Sequence, residues 1–169
     1  YPIYKLAFNH SNQKIIVQNK DDSDEFKQWG VLDLSKVRLI KSSGVNMQKF
    51  IYHEEPDGII TICFAARLLR DKGVYEFINA AKVLKEKGIK ARFLLAGQLD
   101  VNNPSSLNLN DSNLIKKEKN VEVLGHHKDV PKLYQRSHIV CLPSYREGLP
   151  KSLIEASAAC RAIVTTDVP

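Results

Sequence analysis

Short apolar runs alternate with amphipathic segments from residue 59 onward. The runs cover residues 59–65, 91–97, 121–124 and 138–142. Apolar runs of this length, bounded by turn residues, indicate strands that are buried in a parallel sheet. The alternation of such strands with helical segments predicts an α/β fold with a Rossmann-like parallel sheet and flanking helices.

The segments between these runs have helical periodicity. Apolar side chains recur three and four positions apart over residues 74–84, and Gly88 follows as a helix stop. A second helix is predicted over residues 112–119, and a third begins at Asp129 or Pro131, where Asp129 can act as the cap. Residues 98–110 are rich in Asn, Pro and Ser and predict a long irregular loop.

The first 58 residues have a different pattern. Residues 14–19 predict a strand, and the acidic residues 21–24 can cap a short helix that runs through Phe26 and Trp29. Residues 51–58 contain a proline and a turn dipeptide, which interrupt the periodicity. The predicted organisation is a first domain that ends near residue 50, a linker over 51–58 and a second domain over 59–169.

Composition and charge narrow the function only slightly. The chain has 169 residues, a net charge of +6 and 43% hydrophobic residues, as in a soluble globular protein with anionic partners. No apolar segment approaches the roughly 18 residues that a membrane span needs. The three cysteines, Cys63, Cys141 and Cys160, lie within or beside apolar segments without metal-ligand spacing. This arrangement favours a reducing, cytoplasmic setting.

Residues 143–155 carry the clearest candidate chemistry. They close a predicted strand and open a helix, and Gly148 and Pro150 lie at the join. The N-terminus of such a helix lies at the carboxyl edge of the sheet, where open α/β folds bind anions. Glu147 and Glu155 flank this helix start, so a bound diphosphate could place a hydroxyl-bearing group near each carboxylate.

The same residues resemble the signature of retaining glycosyltransferases with two Rossmann-like domains, the group 1 glycosyl transferases of GT-B type. The family pattern is Pro-Ser, two residues, Glu-Gly and a second Glu after seven residues, and it matches residues 143–155. A later strand over residues 163–169 matches the family ending Thr-Asp-Val-Pro. Cys160 and Ala162 stand where the family usually has Gly and Pro. Both lie beyond the ligand-contacting residues, so they bear on turn geometry more than on function.

The resemblance implies roles for particular residues at the end of the chain. Glu147 would contact the donor sugar, Glu155 would bind the ribose hydroxyls, and the intervening residues would meet the diphosphate. These intervening donor-binding residues are Gly148, Leu149 and Pro150.

A second match covers the loop after the first strand of the second domain. Arg67 and Lys72 have the residue types and spacing of the pair that neutralises the donor diphosphate in this family. Preorganised cations stabilise the charge that develops on a leaving nucleoside diphosphate. By the same resemblance Gly97 lies near the nucleotide, and the loop with His126 and His127 holds the base, largely through backbone groups.

The resemblance therefore implies a retaining hexosyltransferase with Glu147, Arg67 and Lys72 as catalytic residues. It favours a UDP-sugar donor over GDP-mannose, a glycan or lipid-linked acceptor, and a role in bacterial capsule or surface polysaccharide synthesis. It implies no cofactor and no metal. Cytoplasmic location is expected, and action at the inner face of the membrane with peripheral association stays open.

The length implies a partial enzyme under this interpretation. Residues 1–50 would be the end of an acceptor domain, 51–58 the linker, and 59–169 a donor domain that is incomplete at its carboxyl end. We expect the chain alone to bind donor without full transfer activity, because closure of two domains normally completes such a site.

Other function classes fit the sequence less well. A basic nucleic-acid-binding module would fit the charge of +6, but the tyrosines do not interleave with Lys and Arg in an RNA-binding pattern. Nucleic acid is therefore not an expected partner. Residues 22–24 have the Asp-x-Asp form of a metal-nucleotide site, for which helix capping is a sufficient explanation. No dinucleotide or phosphate-loop glycine motif is present in the sequence.

Overall fold

A computed structural model of the chain describes residues 2–8, 10–30, 33–116 and 118–168. These residues form two compact units. The smaller unit holds the described residues up to Gly44 together with Glu147–Pro150, and the larger unit holds Val45–Arg146 and Lys151–Val168. The assignment of acceptor and donor domains to these parts stays a prediction, and the Pro169 of the family ending lies outside the described residues.

The described residues of the smaller unit form two α-helices, a 3₁₀ turn (Leu34–Lys36) and a two-stranded parallel sheet. Its elements are α1 (Pro2–Ala7), β1 (Ile15–Val17), α2 (Lys20–Gln28) and β2 (Val37–Leu39). The prediction that an acidic residue caps α2 is wrong. Asn19 is the N-cap, and its side-chain oxygen accepts from the Asp22 N–H at 2.7 Å. Asp21 and Asp22 instead occupy the first turn, where their charges favour the positive end of the helix dipole.

The larger unit is built on five parallel strands in the order β5-β4-β3-β6-β7. The strands are β3 (Thr61–Ala65), β4 (Arg92–Ala96), β5 (Val121–Gly125), β6 (Ile139–Leu142) and β7 (Ala162–Thr165). The helices are α3 (Val74–Glu86), α4 (Leu109–Lys116), α5 (Val130–Gln135) and α6 (Lys151–Ala158). The predicted α/β class with a parallel, Rossmann-like sheet is confirmed.

Apolar side chains cover both faces of this sheet. On one face Phe77 of α3 packs between Phe64 and Phe93, with ring centroids 5.5 and 5.3 Å away. On the other face Cys63 and Leu94 pack with α5 and α6. Neighbouring residues of β3 and β4 therefore alternate between two buried faces, which explains why their sequences are continuously apolar.

Several predicted boundaries are wrong by a few residues. The strands predicted over 14–19 and 163–169 are β1 (Ile15–Val17) and β7 (Ala162–Thr165). The strand predicted over 59–65 begins at Thr61, whose N–H donates to His138 Nδ1 at 3.0 Å. The helix predicted over 112–119 is α4 (Leu109–Lys116), because Asn108 Oδ1 accepts from the Asp111 N–H at 2.8 Å and starts the helix earlier. The irregular loop is correspondingly shorter. Asp129 caps α5 as predicted, and its side chain accepts from the Lys132 N–H.

None of the helices in the described ranges is both long and apolar enough to cross a membrane.

Cys160 ends α6 in the left-handed backbone conformation, with φ of 53°. The N–H of Cys160 donates to the carbonyl of Ser157, and the N–H of Arg161 donates to the carbonyl of Ala156. These two bonds form a Schellman motif, whose left-handed position is usually glycine. The turn therefore keeps its usual geometry although the residue is not glycine, and the Cβ of Cys160 makes that geometry strained.

Replacing Cys160 by glycine is expected to stabilise the chain. The relief of left-handed strain is worth roughly 1–2 kcal/mol, and the extra freedom of glycine in the unfolded chain removes roughly 0.5–1 kcal/mol of that gain. We expect a net gain of about 1 kcal/mol in the free energy of unfolding, measured by urea denaturation. Cys160→Ala is the control, since it removes the thiol and keeps the strain. An equal gain in both variants would contradict the explanation.

Candidate functional site

The order of the strands creates a crevice at the carboxyl edge of the larger sheet. The chain leaves β3 toward β4 on one side, and β6 lies on the other side of β3. The loops that follow β3 and β6 therefore start side by side and lead in opposite directions, which is the usual ligand position in open α/β sheets. Here the two loops touch, because the Tyr145 N–H donates to the Asp71 carbonyl at 2.9 Å.

A cavity of about 240 Å³ lies at this edge within the larger unit. Five predicted site residues line it: Arg67, Gly97, His126, His127 and Glu155. The wall between them is formed by the ends of β3 and β4, by Gln98, and by Val130 and Tyr134 of α5. The structure thus brings together one cation, one carboxylate, two imidazoles and the ends of two strands.

Arg67 is paired with Asp100. Its Nη1 lies 2.6 Å from Asp100 Oδ2, and the two side chains are 57% and 28% exposed. The backbone N–H of Asp100 donates to Ser106 Oγ, which holds this part of the loop in place. Sequence reasoning missed Asp100. Its position shortly after Gly97, at the carboxyl end of the strand next to β3, was the available signal.

Gly97 lets β4 end close to the loop after β3. A Cβ at this position would lie 2.1 Å from the Ala66 carbonyl oxygen and 2.9 Å from Leu68 Cδ2. The Gly97 N–H donates to the Gly125 carbonyl at 2.8 Å. The glycine is required here by the close approach of the two chain segments.

Glu155 is the least exposed charged group of this cavity. Its side chain is 15% exposed, and Lys151 Nζ lies 3.6 Å from its Oε1. Burial raises the pKa of Glu155, and the charge of Lys151 offsets part of that change. A desolvated carboxylate gains stability from hydroxyl donors, so a ligand with neighbouring hydroxyls suits this position.

The two histidines follow β5 directly. Gly125 turns the chain with φ of 65°, after which His126 is exposed and His127 is half-buried. Over the described ranges, no group of three or more His, Cys, Asp and Glu side chains could hold a metal ion. His126 and His127 both line the cavity.

Lys72 lies in a 3₁₀ turn (Arg70–Lys72) that leads into α3. Gly73 follows it with φ of 75° and packs against residue 143, where an added Cβ would lie 2.0 Å from the Pro143 carbonyl oxygen. Lys72 is half-buried and has an interaction partner. The turn that carries Lys72 is therefore fixed on the first residue of the loop after β6.

The predicted diphosphate-contacting residues lie in the smaller unit, in Glu147–Pro150. Asn19 Nδ2 donates to the Gly148 carbonyl at 3.3 Å, and a Cβ on Gly148 would meet Gln18 Oε1 at 3.2 Å. Leu149 is 37% exposed. Pro150 was predicted to occupy the first helical position, but α6 starts at Lys151 and Pro150 precedes it. The functional roles of all these residues stay predictions.

Comparison with known proteins gives consistent results. Residues 48–169 match the family model described as glycosyl transferases group 1. A Campylobacter jejuni protein named N,N'-diacetylbacillosaminyl-diphospho-undecaprenol alpha-1,3-N-acetylgalactosaminyltransferase is 36% identical over 98% of this chain and 45% of its own length. The Staphylococcus aureus capsular polysaccharide biosynthesis glycosyltransferase CapM is 28% identical over 75% of this chain and 35% of its own length.

A solved structure shows the same fold. Anabaena HepE in complex with UDP-glucose superposes with a TM-score of 0.75 at 18% identity, over 98% of this chain and 48% of that one. The neighbours of this kind are GT-B glycosyltransferases. The chain spans about half the length of the curated relative from Campylobacter jejuni, and about a third of the length of CapM.

Proposed function

The chain belongs to the glycosyl transferases group 1 family, and on that premise we propose that its larger unit binds the nucleoside diphosphate of a sugar donor. The whole enzyme would transfer the sugar to a glycan or lipid-linked acceptor in bacterial polysaccharide synthesis. The anomeric configuration would be retained, as the family signature implies.

The cavity at the carboxyl edge is the observation that carries this proposal. It combines an arginine, which pairs well with phosphate, with a partly desolvated carboxylate, which pairs well with vicinal hydroxyls. A nucleoside diphosphate carries both groups, because its ribose bears a pair of neighbouring hydroxyls and is esterified to the diphosphate. Arg67 would contact the diphosphate and Glu155 the ribose, while the backbone beside His126 and His127 would contact the base.

The charge on the leaving group explains the need for cations. A nucleoside diphosphate becomes more negative as its bond to the sugar breaks, and fixed positive groups stabilise that change. Arg67 and Lys72 would have this role, and Glu147 would contact the donor sugar. The family assignment supports these roles, and the reaction would need no metal or other cofactor.

We propose UDP as the nucleotide. The UDP-glucose complex of the structural neighbour supports it, whereas GDP-mannose is the alternative. Both donors carry the same diphosphate, so the choice concerns only the base and its contacts with residues 125–128.

The relatives' names support a lipid-linked or polysaccharide acceptor. A lipid-linked acceptor would bring the enzyme to the inner face of the membrane as a peripheral protein. By itself this chain would bind donor and transfer sugar poorly or not at all, because the curated relatives are about twice as long or longer. Rapid transfer by the chain alone would contradict that view.

Calorimetric titration with UDP tests the proposal. Loss of one charged hydrogen-bonding partner is worth about 1.5–3 kcal/mol, so Lys72→Ala and Arg67→Ala are each expected to weaken UDP binding by about ten- to a hundredfold. Lys90→Ala is the matched control, because it removes the same charge from an exposed position before β4. Its affinity for UDP should stay close to that of the wild type.

The outcomes test the identity of the base separately from the existence of the diphosphate site. Tighter binding of GDP than of UDP would change the proposed base and leave the site intact. Equal UDP affinity of the wild type and Lys72→Ala would overturn the diphosphate site at this residue.

A further inference from the structure

Tyr145 forms a hydrogen bond across the carboxyl edge of the larger unit. Its hydroxyl donates to Glu76 Oε1 at 2.6 Å. Glu76 lies in the first turn of α3, four residues after Lys72, and Tyr145 lies two residues before Glu147 in the chain. The bond therefore joins the segment that carries Lys72 to the loop that begins the family signature at residues 143–155.

Two further interactions tie the same segments together. The Tyr145 N–H donates to the carbonyl of Asp71, the residue directly before Lys72. Gly73, the residue directly after Lys72, packs so closely on Pro143 that no side chain fits between them. Lys72 is thus held on both sides by backbone contacts with residues 143–145, and the side chain of Tyr145 adds a third tie at the start of α3.

The chemistry of the pair favours a specific bond over a chance surface contact. Among the residues that the structure describes, Glu76 Oε2 is buried without a hydrogen-bond partner, and the hydroxyl of Tyr145 donates to the other oxygen of this carboxylate. The bond to Glu76 and its charge raise the pKa of Tyr145, which keeps the hydroxyl protonated and able to donate. Hydrogen bonds to an ionised acceptor are stronger than those between neutral groups.

We propose that Tyr145 is a positioning residue whose hydrogen bond to Glu76 holds the turn around Lys72 in the place where its ammonium group meets the donor diphosphate. This inference rests on the proposed function and extends it to two residues that contact no ligand themselves. Tyr145 acts on the ligand through Lys72, since its hydroxyl is directed to Glu76.

UDP titration of Tyr145→Phe tests the inference in this chain. Loss of the hydroxyl is expected to weaken UDP binding by about three- to tenfold, the equivalent of one hydrogen bond. Glu76→Ala should weaken binding to the same extent, and Glu76→Gln should restore most of the affinity because glutamine keeps an acceptor for the hydroxyl. Tyr52→Phe is the matched control, since it removes a hydroxyl from an exposed tyrosine in residues 51–58.

The same titration in the Lys72→Ala background separates positioning from a general structural role. If Tyr145 acts through Lys72, Tyr145→Phe adds no further loss in that background. Equal losses in both backgrounds would overturn the inference, as would wild-type affinity in Tyr145→Phe. If wild type and Lys72→Ala bind UDP equally, the proposed diphosphate site at Lys72 fails, and the role of Tyr145 fails with it. If only Lys72→Ala is weakened, the function stands and the role of Tyr145 fails.

Discussion

Replacing Gly73 by alanine is expected to destabilise the larger unit by about 4 kcal/mol and to abolish measurable UDP binding. Two effects add at this residue. Its φ of 75° lies in the left-handed region, which disfavours any Cβ, and the new Cβ would lie 2.0 Å from the Pro143 carbonyl oxygen. Backbone strain costs about 1–3 kcal/mol and overpacking a similar amount. Urea denaturation followed by circular dichroism measures the loss.

Gly88→Ala is the control for Gly73→Ala. Gly88 has a similar φ of 72°, but apart from its chain neighbours no described residue has an atom within 4 Å of the added Cβ. It should therefore show the strain without the clash, a loss of about 1–2 kcal/mol. The difference between the losses of the two variants measures the packing of the turn at Gly73 against Pro143, the residue that follows β6. Equal losses would show that this packing is not required.

Replacing Gly97 by alanine is expected to destabilise the larger unit by about 3 kcal/mol for a purely steric reason. The φ of Gly97 lies outside the left-handed region, so the full effect comes from the Ala66 carbonyl oxygen, 2.1 Å from the added Cβ. The end of β4 and the loop after β3 would have to move apart, and these two segments form one wall of the cavity. We expect the affinity for UDP to fall more than about tenfold, because small displacements of positioned groups reduce binding strongly.

Gly148→Ala provides the stability control for Gly97→Ala. The nearest atom to its added Cβ would be Gln18 Oε1, at 3.2 Å, at the end of a side chain that can move, and the next contacts are at ordinary van der Waals distances. Its free energy of unfolding should change by less than about 1 kcal/mol. A loss as large as that of Gly97→Ala would show that backbone crowding is not the reason for the effect at Gly97.

Local patterns predicted the elements of the larger unit well. The apolar runs became strands because both faces of β3 and β4 are buried, so Cys63 and Phe64 are enclosed in opposite layers. The family resemblance pointed to Arg67 and Glu155, and these two residues line the same cavity. The strands themselves depend on periodicity and on the topology of parallel sheets, and both can be read from the sequence.

Features that depend on pairs of distant residues were not predicted. The start of β3 is set by His138, 77 residues later, whose ring accepts from the Thr61 N–H. The pairing of Arg67 with Asp100 depends on how the loops after β3 and β4 meet. The helix start at Asn108 is a different case, because its cap is local and could have been read from the Asn108 and Asp111 spacing.

The strained turn at Cys160 lowers the stability of the chain by an amount that a natural protein can tolerate. A residue with a Cβ at that position costs about 1 kcal/mol, or roughly a fivefold change in the ratio of folded to unfolded molecules. Natural proteins persist as long as they stay above a stability threshold, so a loss of this size need not be selected against. Cys160 follows the last turn of α6, while Glu147–Pro150 precede its first. Substitutions at residue 160 therefore alter how much of the protein is folded, whereas the predicted ligand contacts at Glu147–Pro150 come before the other end of the helix in the chain.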